Sequence, residues 1–436
     1  MVSLLILIAP LALSMVAGEL DVVYEWKYID YEWKDSAQKQ TAIDSGNYNY
    51  TQIFTIDVDR ARDGRVFVTT PRQVGVPATL STVCDQKSGD GGPLLKPYPN
   101  WSWNQKTDCT GIVSVYRVAI DECNKLWVLD TGNDGSAQVC PAQLLVFDLS
   151  NDRLVKKITI PSNYASNVNG TGLLITPALE TSGRNCEWTK VYMADSDGLG
   201  LVVYNGREFH RFSNPSFAPE EEYATFTIAG ETFHLSDGIF SLAVQPKKQF
   251  SQSSRLFYRP LASRKQYYVS TRNLEESFYH SMTPNYKTID YTFPTQVTTQ
   301  AFNHRGILFM GYTNPPAIAC WDSSKVMYFF LSFVSFQVII AEDEERLQFT
   351  SGLKVKGHNL LVFTNRFQKI MEGTQNFNEV NYRILIEPDI NQLIRHTTCS
   401  RKVHSFKTKG AKEYESDKAD EKAGNRSRCQ HSSCLT

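Results

Sequence analysis

An all-β chain, wound as a six-bladed β-propeller around a central channel, is expected from three features. First, a short apolar strand recurs six times. Its copies are Val66-Phe67-Val68, Leu126-Trp127-Val128, Val191-Tyr192-Met193, Leu256-Phe257-Tyr258, Leu308-Phe309-Met310 and Leu361-Val362-Phe363, spaced 52 to 65 residues apart. Repeats of that period suggest one supersecondary unit each, stacked around an axis. Second, each triplet is flanked by further strand patterns in a constant order. Third, the aromatic stretch VVYEWKYIDYEW (22–33) precedes the first repeat. It suits a strand that pairs with the last blade and closes the ring, which removes exposed sheet edges.

Within each repeat an inner strand comes first: 52–59, 113–121, 172–179, 238–245, 294–302 and 347–355. The triplet is the second strand. A third follows in most repeats, at 144–149, 201–205, 266–271, 317–322 and 382–387. Turn residues such as Asp63-Gly64, Asn133-Asp134-Gly135 and Asp197-Gly198 separate them. Residues 72–110 read as a long insertion in the first repeat, bracketed in most of its length by Cys84 and Cys109, whose positions suggest a stapling disulfide. The uncharged run 326–341 reads as a strand followed by part of the next inner strand. It is shorter than the ~20 residues a membrane span needs.

Residues 1–18 (MVSLLILIAPLALSMVAG) have the apolar run and small terminal residues of a secretory signal. The propeller is expected over residues 19–399 and a solvated, disordered polar tail over 400–436. Export agrees with nine cysteines that form no CxxC pair and have no histidine cluster beside them. Asn49, Asn100, Asn169 and Asn425 head glycosylation tripeptides. With 45 Lys and Arg against 46 Asp and Glu, the chain offers no bulk charge for nucleic acid, and no membrane partner is expected.

The sequence holds no GxSxG elbow, P-loop, HExxH or EF-hand loop, its eight histidines are scattered, and no cofactor is expected. The repeat gives a better lead. The fourth residue after each triplet's first residue is Thr70, Asp130, Asp195, Pro260, Tyr312 or Asn365. In a propeller these strand ends share one height, so they would ring one channel mouth. Two carboxylates there would favour an amine or other cation, and Tyr312 and Phe367 could hold an aromatic ring or ammonium. The competing expectation is that Asp130 and Asp195 cap their own turns. Two Asp and one Asn make a thin set for calcium, and no metal is expected.

The segments KPYPNWSWN (96–104), CTGIVSVYRVAIDECNKLWVLDTG (109–132), CPAQLLVFDL (140–149), VYMADSDGLGLVVYN (191–205), DGIFSLAVQP (237–246), EDEERLQF (342–349) and NFNEVNYRI (376–384) resemble the insect yellow and major royal jelly proteins. The likeness covers most of residues 22–399. It implies a secreted six-bladed propeller. It also implies one of several roles: binding a small aromatic amine or catechol in the channel, dopachrome conversion in melanin formation and cuticle pigmentation, or a nutritive or structural glycoprotein. The resemblance to amine-binding salivary members carries over to Thr350, Asn365 and Phe367.

Overall fold

The protein is described by a computed structural model covering residues 19–104, 109–247, 253–280, 282–323 and 337–400. The expected signal (1–18) and all but the first residue of the expected polar tail (400–436) lie outside the described residues. Six four-stranded antiparallel sheets form the blades of a propeller. Their inner strands are Asp57–Arg60, Val115–Ile120, Leu174–Ser182, Ile239–Gln245, Val297–Phe302 and Phe349–Lys356. Each pairs with the strand carrying its triplet.

The triplets are apolar throughout because both faces of every blade are buried. Successive side chains on a strand point to opposite faces. Leu126 and Val128 therefore pack against blade one, in a cluster with Phe67 and Leu80. Trp127 and Leu129 pack against blade three, with Val191 and Met193. Six such clusters fill the six gaps between neighbouring blades.

The ring closes as expected. Asp21–Trp26 is the outer strand of blade six, paired antiparallel with Tyr382–Glu387 from Trp26↔Tyr382 to Asp21↔Ile386. Trp26 is 1% exposed, and its indole N–H donates to the Pro93 carbonyl of blade one at 2.6 Å. Gly92 must be glycine here: it has φ +135°, and a Cβ would stand 2.5 Å from the Glu25 carbonyl oxygen. Trp26→Ala should destabilise the fold by about 3–5 kcal/mol, the usual cost of truncating a buried aromatic. A urea-unfolding midpoint would measure it.

Three expectations need correction. Residues 72–110 are not an insertion, since Leu80–Gly89 and Gly92–Pro97 are the third and fourth strands of blade one. Cys109 pairs with Cys140, not Cys84, which has no disulfide partner among the described residues; Cys123–Cys186 and Cys320–Cys399 are the other disulfides there. Cys84 sits on the third strand of blade one, whereas Cys109 and Cys140 flank the inner two strands of blade two. Of the run 326–341, residues 326–336 lie outside the described residues. Gln337–Glu342 is the outer strand of blade five, and the next inner strand starts only at Phe349. No helix among the described residues is long and apolar enough to cross a membrane.

Candidate functional site: a channel divided by a buried arginine

The inner edges of six sheets leave backbone N–H and C=O groups facing the axis, and side chains from other blades satisfy them. On blade two, the Val118 and Ile120 amides donate to Asp57 and Asp59 of blade one, at 3.1 and 2.8 Å. Their carbonyls accept from Lys354 and Lys356 of blade six, at 2.9 and 2.6 Å. The lysines also pair with those carboxylates, Lys354 with Asp57 at 2.9 Å and Lys356 with Asp59 at 3.2 Å. Burial pushes the Asp57 carboxyl up, and Lys354 and Arg117 pull it back.

Arg117 crosses the channel. Its guanidinium donates to Thr176 Oγ1 of blade three at 2.9 Å and to the Ser351 carbonyl of blade six at 3.0 Å. It also lies 4.4 Å over the Phe240 ring of blade four. Desolvation pushes its pKa down to about 10, with Asp57 and Asp237 opposing. A cation tied to blades three, four and six makes a septum across the channel.

At the end where the inner strands finish, a cavity of about 1040 Å³ opens, walled by residues that include Asp57, Asp59, Ser241, Gln300, Lys354 and Lys356. None of the residues expected from the sequence lines it.

The opposite mouth, where the inner strands begin, is where those residues fall. Asp130 is fully buried. Its two oxygens accept from the amides of Ser114, Val113 and Gly132 and from the Gln143 side chain, at 2.8–3.0 Å. Asp195 is also fully buried, accepting from the amides of Leu173 and Gly198 and pairing with Arg211 at 2.6 Å. Both carboxylates thus hold their own strand ends, the capping alternative. Thr70 is buried, Tyr312 donates its hydroxyl to Gln337, and Pro260 pairs with Ile239.

Asn365, Thr350 and Phe367 stand differently. Asn365 donates to the Thr55 carbonyl at 2.9 Å and the Ser351 hydroxyl at 3.3 Å, but its side-chain oxygen has no partner among the described residues. Neither do the hydroxyls of Thr350 and Thr55. Phe367 is half-buried, 4.9 Å from Phe349 and edge-on to Phe233 at 5.7 Å. One aromatic cluster joins Phe349 and Phe367 on blade six to Phe240 on blade four, under the hairpin Thr225–Ile228 and Glu231–His234.

The acidic groups at this mouth are Asp197 and Asp237, not Asp130 and Asp195. Asp237 precedes the inner strand of blade four, and Asp197 lies in the turn after the second strand of blade three. Gly238 packs them together, for a Cβ there would stand 2.3 Å from Leu199 and 2.8 Å from the Ser196 carbonyl oxygen. Among the described residues no hydrogen bond or ion pair reaches the half-buried Asp237 carboxylate. Desolvation, then Asp197, pushes it up to about 6, opposed by Arg117. Asp197 is also raised, by desolvation and Asp195, although Ser196 donates to it. Both acids stand in Asp-Gly pairs, Asp197-Gly198 in the turn after a second strand and Asp237-Gly238 in the segment leading into the next blade's inner strand.

Fold and channel together define a disulfide-stapled six-bladed propeller with two distinct mouths. The family model for Major royal jelly protein matches residues 113–399. The chain is 38% identical over 405 residues to Major royal jelly protein 9 of Apis mellifera, covering 89% of this chain and 92% of that one. To Major royal jelly protein 1 of the same bee it is 35% identical over 399 residues, covering 87% and 89%. It belongs to the major royal jelly protein family. Among solved structures, it is similar to an α-L-arabinanase of Penicillium chrysogenum at 10% identity and a TM-score of 0.44, over 86% of this chain and 99% of that one. A likeness that distant carries no functional argument.

Proposed function

We propose that this chain is a secreted propeller that holds a small aromatic amine or catechol at the mouth lined by Asp237, Phe240, Phe349 and Phe367. The observation that carries the reading is the Asp237 carboxylate, half-buried and unpaired beside an aromatic cluster. Keeping it there costs desolvation that an ammonium would offset. The Phe rings supply faces for the ligand's ring or its cation. Thr350 and Asn365 hold unpartnered polar oxygens buried behind Phe349 and Phe367, which a ligand's hydroxyls would meet only if the rings part. Asp130, Asp195, Thr70 and Tyr312 frame the mouth rather than touch the ligand in this reading.

Secretion is part of the proposal. Three disulfides suit an oxidising compartment, and Asn49, Asn100 and Asn169 are all exposed, as glycan acceptors must be. Titration calorimetry with dopamine and serotonin tests the binding: saturable heat at one site is expected.

One observation favours a second reading. A carboxyl pushed up to about 6 is suited to act as a general base near neutral pH, as dopachrome conversion requires. If so, the loss of dopachrome absorbance should accelerate with the protein and slow at least tenfold in Asp237→Asn. No heat and no turnover would leave a nutritive or structural glycoprotein.

A further inference from the structure

We propose that the cavity at the other end of the channel is a second binding site, for a neutral polyhydroxylated molecule of mono- or disaccharide size. Its volume, about 1040 Å³, is at the upper end of the usual range for small-molecule sites.

Charge decides the class. Five Asp or Glu and six Lys or Arg line the cavity, and the innermost of them are already matched as Asp57–Lys354 and Asp59–Lys356. An anion would meet carboxylates held against the lysines, and a cation would meet lysines held against the carboxylates. With five acids against six bases on the wall, a ligand of either sign meets both like and unlike charges, so it would lose hydration without full return.

The hydrogen-bonding capacity that remains is mixed. Each lysine ammonium has three N–H groups and spends two, on one carboxylate and one carbonyl. The third remains, on side chains 17% and 34% exposed. Gln300, 5% exposed, spends its amide N–H groups on the Ser241 and Phe257 carbonyls at 3.1 and 3.2 Å. Its oxygen, the hydroxyl of Ser241 and one oxygen of Asp57 are unpartnered among the described residues but closed to solvent just beneath the wall, so a ligand reaches them only if those side chains turn. All of these residues line the cavity. Donors beside acceptors on a wall of balanced charge match vicinal hydroxyls, which donate and accept together. Half-buried Phe302, on the same wall, offers an apolar face for a sugar ring.

The site is independent of the proposed amine site, because Arg117 stands between them. Saturation-transfer NMR on the full chain would use glucose and sucrose as neutral probes, with glucose 6-phosphate and spermidine as charged ones. Saturable binding of a neutral sugar is expected, together with slowed amide exchange at residues 119–121 and 302–304. Ala119 is half-buried on the cavity wall and its side chain makes no polar bond, so Ala119→Trp fills the space. That variant should keep the wild-type melting curve and bind sugar at least tenfold more weakly, about 1.4 kcal/mol. Asp237→Asn should leave sugar binding unchanged, whatever it does to amines. Any of three results would overturn the proposal: no sugar bound at tens of millimolar, binding that survives in folded Ala119→Trp, or binding of the charged probes alone.

Discussion

Asp237→Asn should weaken dopamine and serotonin at least tenfold at neutral pH and, at the same pH, make the protein harder to unfold. The two effects have one cause. In the folded chain the Asp237 carboxyl is pushed up to about 6 by desolvation and by Asp197. Unfolded, it titrates near 4. A group raised on folding contributes stability below its unfolded pKa and loses it as pH rises through the folded one. For Asp237 the loss falls between roughly pH 4 and 6. Two units correspond to at most about 3 kcal/mol, and partial exposure and coupling to Asp197 reduce that to about 1–2 kcal/mol. Asparagine removes the penalty and, with it, the counter-ion for an ammonium. Wild-type affinity for the amines should therefore fall as pH drops below 6, while the variant's much weaker affinity stays level. Binding of catechol, which has no amine, should change little. Calorimetry from pH 5 to 8 and urea unfolding at pH 7 give both readouts. A variant that binds dopamine as tightly as wild type would end the assignment of Asp237.

Most of the fold is legible in the chain because each blade is covered on both faces. Leu126 and Val128 serve one gap and Trp127 the next, so the second strands read as unbroken apolar runs. The closing strand is legible for a related reason: Trp26 and its neighbours are too aromatic for a free terminus. The outer strands of blade one are not legible, since much of Leu80–Gly89 (LSTVCDQKSG) is polar and resembles a loop. Nor is the Cys109–Cys140 pairing, because sequence order says nothing of which strand ends meet. The site divides in the same way. Period and triplet alignment give the height of Asp130 and Asp195 in the ring, but not the direction of their carboxylates, which their own backbone amides fix. Asp197 and Asp237 are not legible as a pair, because an Asp-Gly pair is the ordinary signature of a turn or loop. Only the packing at Gly238 shows that the Asp197 turn meets the segment entering blade four.

Asp130→Ala should be among the most destabilising substitutions in the molecule, about 3–6 kcal/mol, and should leave amine affinity unchanged in whatever fraction remains folded. The carboxylate takes hydrogen bonds from three backbone amides and the Gln143 side chain, with no solvent exposure. Deleting it strands those donors in a buried corner, at about 1–3 kcal/mol each, and relaxation recovers only part. The corner matters because it joins the start of one inner strand to the end of its partner, so the loss propagates to both faces of blade two. Asp130→Asn should be intermediate, since its oxygen can still accept while its amide nitrogen faces the other donors. Urea unfolding of the series Asp, Asn, Ala should give a monotonic fall in midpoint, with dopamine affinity flat across it. The opposite pattern, a stable Ala variant that no longer binds, would return Asp130 to the ligand. It would also mean that the carboxylate leaves four donors to reach one amine, an exchange that the geometry of this corner disfavours.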